Sequence, residues 1–113
     1  MKVLVLIYGD EEKWEALTPG EADEVHEHHR AFAAVAAAKI VTGAELAPTQ
    51  AATTVRVRDG QTVVTDGPFL ETKEVLGGYF MADCNDLDQA IELARRVPLV
   101  DRGSVEIRPV VEN

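Results

Sequence analysis

The chain has 113 residues, of which 46% are hydrophobic and only 5% are aromatic. This length suits one domain, residues 1–113, with a modest aliphatic core that would gain from further burial in an oligomer. Eleven basic residues against twenty acidic residues give a net charge of −9. That balance excludes the basic face that nucleic acids and anionic membranes require, so the sequence predicts no nucleic-acid partner and no membrane partner.

The single cysteine, Cys84, cannot form an intramolecular disulfide. It follows an apolar run and precedes a helix start, so we expect a buried, small hydrophobic side chain rather than a nucleophile. The apolar run that opens the chain is too short for a signal peptide or a membrane span. A cytoplasmic location is the resulting expectation.

Hydrophobic periodicity predicts a strand and then a helix in the first third of the chain. Residues 2–8 are almost continuously apolar, which is typical of a central strand buried on both faces. A short polar segment follows, and its Trp14 is expected to cover the core or an interface. Residues 18–39 then predict a helix, with its start marked by the capping pattern of Thr18, Pro19 and Glu21.

The predicted helix has an apolar stripe in which one position is a histidine. The stripe consists of Ala22, Val25, Phe32, Ala33, Ala36 and Ile40. His29 lies four residues after Val25 and three before Phe32, so the spacing points it toward the sheet. His28 is the alternative inward histidine. An inward histidine is either a satisfied core residue or a proton carrier.

The rest of the chain predicts a hairpin, three strands and a second helix. Residues 41–46 read as a strand in which Gly43 marks a bulge or a close backbone approach. Residues 53–58 and 61–65 flank Asp59-Gly60, which is a strong hairpin signal. The remaining elements are a strand at 79–82, a second helix, a turn at 101–103 and a last strand at 104–110. Asn85 or Asp86 caps the second helix, and Pro98 ends it. Its apolar stripe consists of Leu87, Ala90, Ile91 and Ala94.

Without its hairpin this order is βαββαβ, so the predicted fold class is α+β, ferredoxin-like, with an inserted β-hairpin. Both helices would cover one face of a four-stranded sheet. The other face then needs a partner, and a second copy in a two-fold pair would supply it. The sequence therefore predicts a homodimer.

A rigid turn follows the hairpin at Asp66-Gly67-Pro68-Phe69. Pro68 has no N–H and cannot pair inside a strand, while the Asp66 side chain can bond backbone N–H groups ahead of it. A dense polar set comes next: Glu71, Thr72, Lys73 and Glu74. A carboxylate, a rigid turn, an aromatic ring and a lysine can build a binding site, or only a well-made loop.

The stretch Asp-Gly-Pro-Phe-x-Glu-Thr-Lys-Glu resembles the signature of the DGPF branch of the YCII-related family. The resemblance extends to residues 2–10, 27–32, 76–80 and 105–109, and so covers nearly the whole chain. It implies a dimeric α+β barrel and a suspected His/Asp site, without an established reaction. Carried over to this sequence, the pair is His29 and Asp66.

In that pair, a carboxylate holding one imidazole nitrogen would leave the other as general acid or base. The expected site is a cleft for a small molecule between the first helix and the turn. Its candidate substrate-binding residues are Tyr8, Arg30, Gly67, Pro68, Phe69, Lys73 and Glu74. We expect no cofactor and no metal: His26 and His29 could converge on an ion, but neither HExxH nor CxxC is present.

Three functions follow as hypotheses. The first is a cofactor-free enzyme that performs proton transfer, isomerisation or hydrolysis with His29 and Asp66. The second is a non-catalytic ligand-binding or regulatory module, because the family resembles an accessory to sigma-factor regulation. The third is a structural dimer without an active site.

Overall fold

The computed structural model describes residues 1–98 and 103–112. Its elements are β1 (Lys2–Gly9), α1 (Glu11–Glu15), α2 (Pro19–Ala36), β2 (Ile40–Glu45), a 3₁₀ turn (Thr49–Ala51), β3 (Thr53–Arg58), β4 (Gln61–Asp66), β5 (Val75–Asp83), α3 (Leu87–Ala94) and β6 (Gly103–Pro109). The predicted turn at 101–103 involves Asp101 and Arg102, which lie outside the described residues.

The fold is built on an antiparallel sheet with the strand order β2-β5-β1-β6. The β3–β4 hairpin forms a separate two-stranded sheet. When the hairpin is set aside, the order along the chain is βαββαβ, apart from the short α1. The predicted α+β, ferredoxin-like fold with an inserted hairpin is thus confirmed. In the described part of the chain, no helix has the length and apolar character needed to cross a bilayer.

The core lies between this sheet and the two longer helices. Val3 and Val5 are completely buried and pair with Ala82 and Phe80 on β5. The Phe80 ring meets Phe32 of α2, with 5.5 Å between the ring centroids. The face of the sheet that carries Val3, Val5 and Phe80 is therefore the face that α2 covers, and we call it the helix face.

Cys84 follows β5 and is 2% exposed. Burial raises the pKa of its thiol, so the neutral form is favoured. Its carbonyl oxygen accepts a hydrogen bond from the N-terminal ammonium at 2.8 Å. These surroundings match the expectation of a small buried hydrophobic side chain.

Two details of the helices differ from the sequence prediction. Helix α2 ends at Ala36 rather than near Lys39, because residues 37–39 turn the chain into β2, where Ile40 is the first residue. In α3 the buried residues are Ala90, Leu93 and Ala94, whereas Leu87 and Ile91 are 51% and 48% exposed. The small Ala90 and Ala94 allow close approach to the sheet, and this contact rotates Leu87 and Ile91 to the flank.

The short helix α1 was not predicted, and it positions the only tryptophan. Asp10 caps it, since its carboxylate accepts a hydrogen bond from the Glu12 N–H at 3.0 Å. The indole of Trp14 then lies directly on the backbone of Gly9 and Gly77. A Cβ at those glycines would be only 2.1 and 2.5 Å from the ring. Trp14 thus covers the sheet at this end, which confirms the expected covering role.

The hairpin exposes one apolar face. Val55, Val57 and Val64 share that face in the β3–β4 register and are 59%, 70% and 62% exposed. On the opposite face, the Arg56 guanidinium lies 5.7 Å from the centroid of the Phe69 ring. The signature turn therefore packs against one side of the hairpin and leaves the valines uncovered within one chain.

Candidate functional site

The Asp66-Gly67-Pro68-Phe69 turn is fastened to the base of the hairpin at Gly67. The Gly67 N–H donates to the Ala52 carbonyl at 2.8 Å, and the Gly67 carbonyl accepts from the Thr54 hydroxyl at 2.8 Å. The φ angle of Gly67 is +101°, a conformation that other residues adopt only with strain. The backbone conformation at this position therefore requires glycine. The two hydrogen bonds hold the turn in a fixed position against the hairpin.

A cleft of about 410 Å³ lies between this turn and the start of α1. The residues that line it are Asp10, Glu11, Glu12, Thr49, Gln50, Gly67, Pro68, Leu70, Glu71, Thr72, Lys73 and Val75. Among the predicted binding residues, Gly67, Pro68 and Lys73 contribute to this lining. The carboxylates of Asp10, Glu12 and Glu71 outnumber the single ammonium of Lys73, so the cleft is acidic.

The other predicted binding residues lie elsewhere. Phe69 is 67% exposed and faces Arg56 of the hairpin. Arg30 forms an ion pair with Glu27 on the exposed side of α2. Tyr8 is half-buried on β1, and the backbone carbonyl of Glu74 accepts a hydrogen bond from the Thr72 hydroxyl at 2.6 Å.

Glu11 joins this cleft to a second, smaller cavity. Its carboxylate accepts two hydrogen bonds from Thr49, one from the N–H and one from the hydroxyl, each at 2.7 Å. These two bonds tie α1 to the 3₁₀ turn, and Glu11 lines both cavities. The smaller cavity, of about 200 Å³, is bordered by Glu11, Trp14, Glu15, Glu45, Leu46, Ala47, Pro48 and Gly77.

Trp14 carries a hydrogen-bond donor that has no partner within the described residues. This donor, the Nε1 atom, is buried. A buried N–H without a partner costs free energy, so such groups are uncommon in folded proteins.

His29 is exposed on α2, one turn before Phe32. Partial desolvation lowers the pKa of its imidazole, the Glu45 carboxylate opposes this effect, and the charges of His26 and His28 add to the lowering. Since desolvation is the largest cause, the imidazole favours its neutral form. His29 lines neither cavity, but Glu45, which acts on it, lines the smaller one.

Asp66 is the last residue of β4, is exposed, and pairs with Thr53. In the described parts of the chain, no hydrogen bond or ion pair joins Asp66 to His29. Within one chain, therefore, the suspected pair is not in contact.

Sequence reasoning missed Glu11 and Glu45. Glu11 sits in the acidic run Asp10-Glu11-Glu12, where the sequence predicts only a short polar segment after the first strand. For Glu45, a signal was present: it comes two residues after Gly43 and so shares its face of β2. The direction of that face becomes evident only once Gly43 is paired with Phe80.

The fold and the fastened turn define a ferredoxin-like α+β protein with an acidic cleft beside a rigid loop. The YCII-related domain matches residues 1–113. An uncharacterised protein of Rhizobium meliloti (strain 1021) is 40% identical over 114 residues, which cover 97% of this chain and 92% of that relative. The chain belongs to the YCII-related family, as its signature predicted.

Proposed function

We propose that this YCII-related protein is a cytoplasmic, homodimeric enzyme that acts on a small molecule by proton transfer, isomerisation or hydrolysis. His29 is its general acid or base, and Asp66 is the carboxylate that pairs with His29 in the working protein. No cofactor takes part.

The observation that carries this proposal is the lowered pKa of His29. An imidazole with a pKa below its usual value is mostly neutral at pH 7 and has an unprotonated nitrogen that can accept a proton. His29 also remains exposed, so that a substrate can reach it. A histidine with a perturbed pKa is a candidate for acid–base chemistry, and Glu45, whose charge acts on His29, lines the smaller cavity.

Asp66 needs a rearrangement to reach His29, since the two make no contact within one chain. The Asp66 side chain is exposed and precedes the fixed Gly67 turn. It is therefore free to meet a substrate or a second chain. We propose that assembly of the homodimer, before any substrate binds, completes the pair.

The charges of the larger cleft favour a neutral or positively charged substrate. Asp10, Glu12 and Glu71 face it together with the single cation Lys73. Like charges repel most strongly where water is partly excluded, so the cleft disfavours carboxylates and phosphates.

The test is an NMR titration of the three histidines in the wild type, in Asp66→Asn and in the control Asp23→Asn, which removes an exposed carboxylate from α2. We expect His29 to titrate below the usual range, and its pKa to fall further in Asp66→Asn because a negative charge is lost. The control should leave His29 unchanged. Identical His29 titrations in wild type and Asp66→Asn would reject the pair.

A non-catalytic ligand-binding or regulatory module is the second candidate. It is favoured by the lining of the larger cleft, which contains Gly67, Pro68 and Lys73 but neither His29 nor Asp66. An NMR screen of small amines and neutral amides separates the two candidates. Ligands that shift the Gly67 and Lys73 amides without affecting His29, and that are never converted, would favour the module.

A further inference from the structure

We infer that Glu45 on β2 is the carboxylate partner of His29 within a single chain. The placement of Glu45 follows from the fold, whereas its use in catalysis rests on the function proposed above. Glu45 would be a positioning residue that acts through His29.

The sheet fixes the direction of Glu45. Gly43 pairs with Phe80, and Glu45 pairs with Gly78, in the antiparallel β2–β5 ladder. Directly paired residues project to the same face, and residues two apart on a strand share a face. Because Phe80 contacts Phe32 of α2, Glu45 projects from the helix face.

The direction of α2 determines where His29 lies along that face of the sheet. β1 and β2 are both antiparallel to β5 and hence parallel to each other, so α2 must run back against them. His29 precedes Phe32 by three residues, which keeps it on the same side of α2 and moves it toward the Glu45 end of β2. Phe32 lies over Phe80, and His29 lies correspondingly toward Glu45.

The neighbours leave room for this approach. Gly78, the partner of Glu45 across the ladder, has no side chain. Arg30 is engaged by Glu27 on α2 and does not neutralise Glu45. The charged groups that act on His29 are Glu45 from the sheet and His26 and His28 from its own helix. Of these three, Glu45 alone can stabilise a protonated His29.

This arrangement gives Glu45 a defined task. When His29 takes a proton from a substrate, its imidazolium would be stabilised by the Glu45 carboxylate, and it would be destabilised by His26 and His28. Glu45 also lines the smaller cavity next to Trp14. The proton would therefore be held next to the smaller cavity, which is separated from the larger cleft by Glu11.

The experiment is the same histidine titration applied to Glu45→Gln, with Glu15→Gln as the matched control. Glu15 lines the same cavity but is not among the groups that act on His29. We expect the His29 pKa to fall in Glu45→Gln and to stay at the wild-type value in Glu15→Gln. Glu45→Asp, which keeps the charge, should restore part of the wild-type value.

A His29 pKa in Glu45→Gln that equals the wild-type value, or that shifts no more than in Glu15→Gln, would overturn the inference. Glu45→Asp protects against an uninformative variant, because a His29 pKa that falls as far in Glu45→Asp as in Glu45→Gln would also overturn the inference. The Asp66→Asn result is independent. A response to Glu45→Gln with none to Asp66→Asn would support the Glu45 assignment and reject the His29–Asp66 pair.

Discussion

Two glycines at one end of the sheet, Gly9 and Gly77, allow the Trp14 ring of α1 to pack directly on the sheet backbone. The Trp14 ring lies where any side chain on Gly9 or Gly77 would have to be, with only 2.1 Å from the ring to a Cβ at Gly9. These glycines are thus needed for close approach rather than for an unusual backbone angle. Trp14 in turn borders the smaller cavity, so the glycines support the candidate site.

Gly9→Ala should therefore destabilise the protein by about 1–3 kcal/mol, which is typical of overpacking in a well-packed region. The matched control is Gly20→Ala in α2, where no atom lies within 4 Å of the added Cβ. There we expect a neutral or stabilising effect of up to about 1 kcal/mol, because alanine favours helix. Urea denaturation followed by circular dichroism measures both. Equal effects of the two substitutions would show that Trp14 does not occupy this position.

Among the helices, α2 depends strongly on its first turn. Only Ala36 of its residues is buried, so packing contributes less than is usual for a helix of this length. Its start has a complete capping box: the Thr18 hydroxyl accepts from the Glu21 N–H at 3.2 Å, and the Glu21 carboxylate accepts from the Thr18 N–H at 3.1 Å. This cap also holds the helix that carries His29.

Thr18→Ala should cost about 1 kcal/mol of stability, the usual loss for an N-cap side chain. Thr18→Ser keeps the hydroxyl and should retain most of the stability. Hydrogen exchange of the α2 amides would locate the effect, since a lost cap frays the N-terminal turns first. Protection in Thr18→Ala that matches Thr18→Ser would show that the cap contributes nothing.

The sequence predicted such local elements well wherever the signal was chemical and short-range. The α2 start, the Asp59-Gly60 hairpin and the special role of Gly43 were all predicted, because caps, turns and close approaches depend on a few adjacent residues. Signals that depend on tertiary contacts were weaker. The buried stripe of α3 was misassigned at Leu87 and Ile91, since a helix with several apolar positions can present more than one face.

The candidate site was less predictable for the same reason. Spacing alone predicted that His29 points toward the sheet; its imidazole is partly desolvated, but the residue remains exposed. The carboxylate whose charge raises its pKa cannot be deduced from spacing, because Glu45 and α2 come to the same face of the sheet only through the pairing of β2 with β5. The role of Asp66 stays a prediction.

At the scale of the whole molecule, one chain is flat and extended. Its radius of gyration is 16.1 Å, and its shortest dimension is 18 Å. A compact chain of this length should have a radius of gyration of about 13 Å. The exposed valine face of the hairpin belongs to this open shape, and an isolated two-stranded hairpin is only marginally stable in water. These features support the proposed homodimer.

Light scattering at micromolar concentration should therefore give twice the mass of one chain. Val57→Asp, at a valine that is 70% exposed, should weaken the dimer because it would bury a charge in the interface. Val111→Asp is the control, since Val111 is 80% exposed and lies outside the strands. A wild-type mass of one chain would reject the dimer, and an unaffected Val57→Asp dimer would remove the hairpin from its interface.

Because Cys84 is buried, the rate at which a thiol reagent labels it reports how often this part of the fold opens. Its sulfur is sealed at the junction of β5 and α3, where the backbone is tied to the first residue of the chain. A thiol reagent can reach it only when that junction separates. Because the chain has a single cysteine, the rate of labelling counts these openings without any engineered probe. A ligand that stabilises the folded state would lower the labelling rate of Cys84. Compounds can therefore be ranked by labelling rate before any reaction is known.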